Sequence, residues 1–263
     1  MSAEPDGPEM SFDLARLTQD WPYQPGQINV RLIEGDDGKP KIQLRIDLGI
    51  LQMEVSGRPD GFRPEGFESL LEMHEARLDD HVAESGSAEG FDLDSEACRA
   101  LRDEAVQYYH RYLSLLVLED YEGVVRDTTR NLRVLDICAA HAASEQDRAV
   151  MEQFRPYLLM MRARALASQA IDDDEPKAAL LAIDEALEAI ARHFTSEGGE
   201  ADPGEGFEDA NEVRLLRGMK AALAPKLPVS AKEELRRRLS QAVEQENYRL
   251  AAILRDELRA MPD

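Results

Sequence analysis

The alternation of apolar and polar residues predicts strands in the N-terminal part of the chain. Between residues 27 and 55, apolar residues recur at every second position in three short runs. The runs consist of Ile28, Val30 and Leu32, of Ile42, Leu44, Ile46 and Leu48, and of Leu51, Met53 and Val55. A period of two places the members of a run on one face of a β-sheet. Turn sequences at Gly35–Gly38 and Gly57–Gly61 separate or end the runs, so the pattern predicts an antiparallel β-meander.

The residues around this meander complete the prediction for the first part of the chain. Gly49 shifts the phase of the alternation, which indicates a bulge or bend at Gly49–Ile50. Residues 64–83 have a helical pattern and are expected to cover the sheet, because three short strands are not stable alone. We therefore predict a β-meander plus helix over residues 26–84. Residues 1–25 are acidic and contain several prolines, and they are predicted to form a flexible N-terminus.

The period changes to that of a helix between residues 94 and 195. Helices are predicted from Ser95, capped by Asp94 or Ser95, to about residue 118, and then to about residue 142. A third is predicted over residues 146–171 with a kink or restart at Pro156, and a fourth after Pro176. Short acidic turns separate the helices of each pair. The pairs resemble tetratricopeptide-type (TPR-like) hairpins, although their helices are longer than those of the standard unit of about 34 residues and the full signature is absent. Such arrays offer grooves for peptides or partner helices.

The chain ends in two short amphipathic helices joined by a polar turn. A Gly-rich linker over residues 196–208 and a connecting helix over 209–227 lead to this hairpin, residues 228–263. One face of the first helix consists of Leu235, Leu239, Ala242 and Val243. One face of the second helix consists of Ala251, Leu254, Leu258 and Met261. An antiparallel arrangement of the two helices is the simplest way to bring these two faces into contact. A segment this small without Cys or His must pack on the rest of the chain, on a copy of itself or on another protein. The predicted fold class is thus α+β, predominantly α.

The residues of this hairpin carry a family resemblance. Ala242-Val243, Glu246-Asn247-Tyr248, Ala251-Ala252 and the run Leu254–Leu258 resemble the UVR motif. That motif is the helical hairpin shared by the excision-repair proteins UvrB and UvrC, some Clp-type ATPases and small regulatory adaptors. The resemblance implies a protein–protein interaction device that pairs with another UVR hairpin and carries no chemistry. The partner-binding residues that follow from the hairpin are Leu235, Leu239, Val243, Tyr248, Ala251, Ala252, Leu254, Arg255 and Leu258.

Two positions of the hairpin depart from the usual pattern of the motif. They are Asn247 and the pair Arg249-Leu250, and they bear on the choice of partner rather than on pairing. The alternative interpretation is that the hairpin is simply the last helical pair of a helical domain.

The charge distribution separates the hairpin from the rest of the chain. The chain has 31 basic and 53 acidic residues and a net charge of −22. Residues 228–263 contain seven of each sign, so all of the excess negative charge lies before them. This acidic body would be repelled by phosphate backbones, which disfavours direct nucleic-acid binding. The basic run Arg236–Arg238 is interpreted as a solvated helix face.

Motifs that would indicate an enzyme are missing from the sequence. It contains no P-loop, dinucleotide-binding or nucleophile-elbow sequence. His74 and His81 are too far apart along a helix to share a metal, and Asp172–Glu175 lacks the ligand spacing of a calcium loop. Cys98 and Cys138 are distant in sequence and are predicted to be free thiols. We therefore predict no catalytic residues, no cofactor and no metal.

Two further expectations concern location and the turn at Gly57–Gly61. The first residues include no apolar signal region, and no run approaches the roughly 18 apolar residues of a membrane span, so the cytoplasm is the predicted location. Within the turn, Arg58 and Asp60 either contact a partner or hold the turn in place.

The sequence therefore favours a non-enzymatic adaptor or scaffold. It would pair through its hairpin with another UVR-bearing protein or with itself as a homodimer. The alternative is an accessory factor of nucleotide excision repair that acts through UvrB or UvrC. An enzyme with its site between meander and helices is a third hypothesis, and it requires a convergent cluster of ionisable residues in a deep pocket.

Overall fold

A computed structural model describes residues 14–198 and 204–223 of the chain, together with 239–241, 243 and 255. The described residues are mostly α-helical and include one three-stranded antiparallel sheet. This confirms the predicted fold class. The chain divides into two compact units, Met1–Arg217 and Gly218–Asp263.

The sheet is the predicted meander. It consists of β1 (Asn29–Glu34), β2 (Pro40–Ile46) and β3 (Gly49–Glu54), in the order β1-β2-β3. Ile42 is fully buried and lies between Leu32 and Met53 in the register. The opposite face is polar: Arg31 Nε donates to Gln43 Oε1 at 2.8 Å, and Gln43 Nε2 donates to Gln52 Oε1 at 2.9 Å. Side-chain hydrogen bonds across the strands therefore reinforce the register that the apolar face requires.

Of the bulge or bend predicted at Gly49–Ile50, the bulge is wrong, because the pairing of β2 with β3 is regular there. Ile46 pairs directly with Gly49, so Asp47 and Leu48 form a two-residue turn between β2 and β3. The side chain of Leu48, which the alternation assigned to the sheet, is 91% exposed at this turn. The phase shift in the sequence thus marks the turn of a hairpin.

Part of the segment predicted as a flexible N-terminus is attached to the sheet. It contains α1 (Ala15–Thr18), a single helical turn. The Arg31 guanidinium lies 4.2 Å from the centre of the Trp21 ring, and Arg45 Nε donates to the Trp21 carbonyl at 3.2 Å. Residues 1–13 lie outside the described residues.

The helices follow the sheet in chain order. They are α2 (Leu70–Ser85), α3 (Ser95–Val117), α4 (Tyr121–His141), α5 (Glu145–Glu152), α6 (Arg155–Asp172), α7 (Pro176–Gly198), α8 (Gly204–Asp209) and α9 (Asn211–Leu223). Local signals explain several starts: Asp94 and Asp120 cap α3 and α4, and Pro156 lies in the first turn of α6. The expected break at Pro156 is therefore confirmed. The sheet contacts α3 through β1 and β2, whereas the sequence assigned the covering helix to residues 64–83.

The helical pairs α3–α4 and α6–α7 are closed by the same turn. In the first pair, Glu119 has a positive φ of 60° and the amide of Asp120 bonds the carbonyl of Leu115 at 2.9 Å. In the second pair, Asp174 has a φ of 58° and the amide of Glu175 bonds the carbonyl of Ala170 at 2.7 Å. Both turns are Schellman-type endings with a left-handed acidic residue. Helix α4 connects the two pairs, because it contacts α3 of its own pair and α6 of the second pair.

The structure is helical at both described ends of the segment predicted as a linker, residues 196–208. Helix α7 continues to Gly198 and α8 begins at Gly204. The reason is Phe207, which is only 8% exposed and lies edge-on to Phe194 with ring centres 6.1 Å apart. The burial of one aromatic ring against α7 thus holds this segment in place, although its composition is otherwise that of a loop.

Candidate functional site

A buried ion pair joins the two helices of the first pair. Arg111 of α3 donates from Nε and Nη2 to the two carboxylate oxygens of Asp127 on α4, at 2.7 and 2.8 Å. Both side chains are 1% exposed. Two parallel bonds between a guanidinium and a carboxylate combine charge with fixed geometry. The pair therefore orients α3 and α4 relative to each other.

The same arginine also holds the end of the sheet. Arg111 Nη1 donates to the carbonyls of Glu54 and Gly57, at 3.1 and 2.7 Å. Arg126 of α4 adds a bond from Nη2 to the carbonyl of Val55 at 3.0 Å and one from Nε to Asp127 Oδ1 at 3.0 Å. The backbone carbonyls at the end of β3 and in the turn after it thus accept hydrogen bonds from guanidinium groups of α3 and α4.

A second buried carboxylate, Glu104 of α3, is also shared by two arginines. It bonds Arg130 of α4, and its Oε1 lies 3.2 Å from Nε of Arg58 in the turn after β3. The same oxygen accepts the amide of Leu70, the first residue of α2, at 2.8 Å. Glu104 therefore ties α2, α4 and the turn to α3. We call Arg58, Arg111, Arg126 and Arg130, with Glu104 and Asp127, the arginine cluster.

The turn at Gly57–Gly61 is held in place by this cluster and by Asp60. Asp60 accepts the amide of Phe62 at 2.9 Å and the side-chain amide of Gln107 at 2.9 Å, and it lies 3.3 Å from Arg58. Of the two roles that the sequence left open for Arg58 and Asp60, the structure shows the local one.

Tyr108 lies between two members of the cluster. The guanidinium groups of Arg111 and Arg130 lie 4.8 and 4.1 Å from the centre of its ring. Burial raises the pKa of the Tyr108 hydroxyl, and burial lowers the pKa of Arg130 to about 9. Arg130 therefore remains charged at neutral pH, in a place where water does not solvate it. Its Nε is enclosed and has no hydrogen-bond partner among the described residues.

An open cleft of about 370 Å³ lies over the cluster. Its walls include the start of α2, with Ser69 and Glu72, and the exposed arms of Arg126 and Arg133 on α4. Ser69 caps α2 by accepting the amide of Glu72 at 3.2 Å, and the Glu72 carboxylate accepts the amide of Glu68 at 3.3 Å. The cleft thus meets a capped helix N-terminus on one side and a row of arginines on the other.

Charged residues line much of this cleft, with four arginines and three carboxylates among them. The carboxylate of Asp127 accepts bonds from Arg111 and Arg126, and that of Glu104 accepts bonds from Arg130 and from the amide of Leu70.

Sequence reasoning missed this site. One signal was present: Arg126, Arg130 and Arg133 are spaced i, i+4, i+7, which places them on one face of α4. A charged row on a helix is normally solvated. The burial of Arg130 depends on Glu104, which is distant in sequence.

Cys98 and Cys138 are free, as predicted, and both are buried. Their thiols interact with each other, and Cys98 Sγ also lies 3.8 Å from the carbonyl of Leu93. Burial raises the pKa of both thiols, that of Cys138 to about 12. These are therefore packing residues of low nucleophilicity.

No group of three or more His, Cys, Asp or Glu in the described part of the chain could hold a metal ion. No helix among the residues described is long and apolar enough to cross a membrane.

The predicted hairpin lies in the second compact unit, and few of its residues are described. Leu239, Ser240, Gln241 and Val243 are helical, and so is Arg255. Leu239 is half-buried, Val243 is 50% exposed and Arg255 is exposed. The other predicted partner-binding positions lie outside the described residues, namely Leu235, Tyr248, Ala251, Ala252, Leu254 and Leu258.

Comparison with known proteins assigns this segment. Residues 230–261 match the family model described as the UvrB/uvrC motif. The chain is thus a mostly α-helical protein that carries a UvrB/uvrC motif at its C-terminal end. No curated protein matches the chain. No solved structure matches it either.

Proposed function

We propose that the protein is a non-enzymatic cytoplasmic adaptor that pairs through residues 230–261 with another UVR-bearing protein or with a second copy of itself. The observation that carries the proposal is the match of this segment to the UvrB/uvrC motif. The TPR-like helical pairs and the meander would serve as the scaffold that presents the hairpin.

The described residues of the hairpin support a role in pairing. Val243 belongs to the apolar face predicted from the sequence, and half of its surface is exposed. When a partner covers an exposed apolar side chain, the burial of its surface stabilises the complex. The hairpin is also charge-neutral on an acidic chain, so two copies can approach there with the least repulsion.

The proposal is tested with two matched variants of the full-length chain. Val243→Asp places a charge on the apolar face, and Gln241→Asp places the same charge at an exposed position two residues earlier. Burying an unpaired charge is strongly unfavourable, so Val243→Asp should weaken pairing about 100-fold or more, whereas Gln241→Asp should not. Sedimentation velocity measures self-association, and titration with purified UvrB or UvrC from the same organism measures pairing with a partner.

Two results would contradict the proposal. One is a wild-type chain that stays monomeric at about 100 μM and binds neither purified protein. The other is equal pairing by the two variants, which would place the contact elsewhere on the chain.

The second candidate is an accessory role in nucleotide excision repair through UvrB or UvrC. The description of the matched motif favours it, whereas the net charge of −22 opposes direct DNA contact. A DNA-shift assay at low salt tests direct contact of the chain with DNA, and steeply salt-dependent binding would favour action at DNA.

A further inference from the structure

We infer that the exposed face of α3 binds the same face of a second copy of this chain, with the two helices antiparallel. This surface lies in the first compact unit and does not involve the hairpin. The inference rests on an apolar stripe where a surface helix normally carries charge, on the symmetry of that stripe, and on the charges at its two ends.

The outward face of α3 carries a row of apolar and aromatic side chains. Val106 is 47% exposed, Val117 is 46% exposed and Tyr109 is 37% exposed, while His110 and Leu113 are partly buried. Positions 106, 110, 113 and 117 are spaced i, i+4, i+7 and i+11, which places them on one side of the helix. We call these five residues the α3 stripe.

The α3 stripe is not interrupted by charge. Between residues 105 and 118, Arg111 is the one residue with a permanent charge, and its side chain is buried against Asp127. Burial lowers the pKa of the His110 imidazole, so this residue is also uncharged at neutral pH. The solvent side of a surface helix is normally charged or polar, and 32% of this chain is charged. An exposed apolar surface of this length is typical of an interaction site.

The apolar surface continues from α3 onto α6. The rings of Tyr109 and Tyr157 lie 6.4 Å apart, and Phe154, the residue before α6, is 47% exposed. Aromatic side chains are enriched in protein interfaces, where they bury large areas. The surface available to a partner is therefore wider than one row of helix side chains.

The order of residues in the α3 stripe points to a second copy as its partner. The stripe is the same in both directions along the helix, because Val106 precedes His110 by four residues and Val117 follows Leu113 by four. When two copies of α3 lie antiparallel about a two-fold axis, Val106 meets Val117 of the second copy and His110 meets its Leu113. A two-fold interface requires this self-complementarity, since each surface is its own partner.

The charges at the ends of the α3 stripe favour the antiparallel arrangement. Residues 95–103, before the stripe, contain two arginines and two acidic residues. Residues 118–124, after it, contain three acidic residues and no basic one. An antiparallel copy places its acidic end beside the neutral start with its two arginines, whereas a parallel copy would bring two acidic ends together. Opposed helix dipoles give the same preference.

The size of the contact limits its strength. A contact along about three helical turns is smaller than the roughly 800 Å² per partner of a standard interface. The net charge of −22 also makes two copies repel each other outside the uncharged stripe. We therefore expect a weak dimer with a Kd on the order of 10 μM. Because the hairpin is a separate surface, the Val243→Asp chain should still form this dimer.

The test measures self-association of the full-length Val243→Asp chain by sedimentation velocity, from about 1 to 200 μM. Val106→Lys and Val117→Glu, each added to that chain, should weaken the dimer about ten-fold or more, because each places an unpaired charge against an apolar side chain. Both substitutions together should restore the affinity to within about three-fold, since each introduced lysine then faces an introduced glutamate across the two-fold axis.

Leu181→Lys is the matched control. Leu181 is 60% exposed on α7, and its substitution adds the same charge outside the α3 stripe, so the affinity should stay unchanged. Val106 and Val117 are each about half exposed in the single chain, so the charged variants should fold. Circular dichroism and the thermal midpoint of each variant check this.

Three outcomes overturn the inference. One is a Val243→Asp chain that stays monomeric at about 200 μM, which would leave the α3 stripe to a different protein. Another is equal weakening by Leu181→Lys. The third is a combined Val106→Lys and Val117→Glu chain that associates as weakly as the single variants, which would exclude the antiparallel arrangement. Hairpin pairing is decided separately, by the comparison of Val243→Asp with Gln241→Asp.

Discussion

Arg111 and Asp127 form a two-point ion pair that is closed to solvent and links the first helical pair to the end of the sheet. The two bonds are 2.7 and 2.8 Å long, and each side chain is 1% exposed. The pair is therefore a structural junction, because the same guanidinium also bonds the carbonyls of Glu54, the last residue of β3, and of Gly57 in the turn that follows.

Removing Asp127 should destabilise the protein strongly. Asp127→Ala leaves Arg111 buried without its counter-charge, and we expect a loss of about 3–5 kcal/mol in the free energy of unfolding. Urea denaturation measures the change. Asp103→Ala, at an exposed position of α3, is the control and should change stability by less than about 0.5 kcal/mol. Equal effects of the two substitutions would contradict a buried pair.

The free energy of unfolding should fall at alkaline pH because the Cys138 thiol is buried. Burial raises its pKa from 9.0 to about 12 in the folded chain. Between these values the unfolded chain loses the thiol proton and the folded chain keeps it, so stability is intact below pH 9 and falls as the pH rises above it. The slope for one such group approaches about 1.4 kcal/mol per pH unit.

This pH effect is measured as a difference between wild type and Cys138→Ala. Urea denaturation at pH 8 and pH 10 gives the loss for each protein, and the subtraction removes the other groups that titrate in this range. Wild type should lose more stability than the variant. If both lose the same amount, the thiol is not protected.

Two glycines in helices should respond to alanine with opposite signs. A Cβ at Gly123 would lie 2.7 Å from Asp120 Oδ2 and 2.9 Å from Leu115 Cδ1, whereas a Cβ at Gly218 meets nothing within 4 Å. Gly123→Ala should cost about 1–3 kcal/mol through crowding. Gly218→Ala should stabilise α9 by up to about 1 kcal/mol, since alanine favours helix. Chemical denaturation of the two variants in parallel decides this, and effects of the same sign would refute the packing at Gly123.

Phe207 should control the local stability of α8. Phe207→Ala removes the buried ring that lies against Phe194, and the helix has only six residues to stabilise it. Amide exchange over α8 should then accelerate by at least about ten-fold, while exchange in α3 and α4 stays the same. Asp209→Ala, at an exposed position of the same helix, should leave the exchange of α8 unchanged.

Elements that depend on local signals could be predicted from the sequence. The strands follow a period of two, Asp94 is the cap of α3, and Pro156 lies in the first turn of α6. Each of these features is decided by residues close in sequence, and the predicted fold class is confirmed for that reason.

The features that the sequence did not reveal depend on distant partners. Arg130 and Glu104 are 26 residues apart, and Arg111 and Gly57 are 54 apart. Nothing near Arg130 in sequence indicates that it is buried. Similarly, the composition of residues 196–208 indicates a loop, and only the distant ring of Phe194 explains why Phe207 anchors a helix.

The hairpin and the arginine cluster also differ in whether their residues are close together in sequence. The hairpin has a recognisable pattern of consecutive residues, so the sequence identified it and the family match confirms the motif at residues 230–261. The arginine cluster has no such pattern, since its members come from a turn and two helices.

The contacts of Arg111 have a consequence for synthesis on the ribosome. The carbonyls after β3 receive their donors from α3 and α4, and the most distant of these bonds, from Arg126 to Val55, spans 71 residues. A chain emerging from its N-terminus therefore exposes the meander before the groups that complete its last turn have been made. The N-terminal third is translated first, but its final closure has to wait until α4 has left the ribosome.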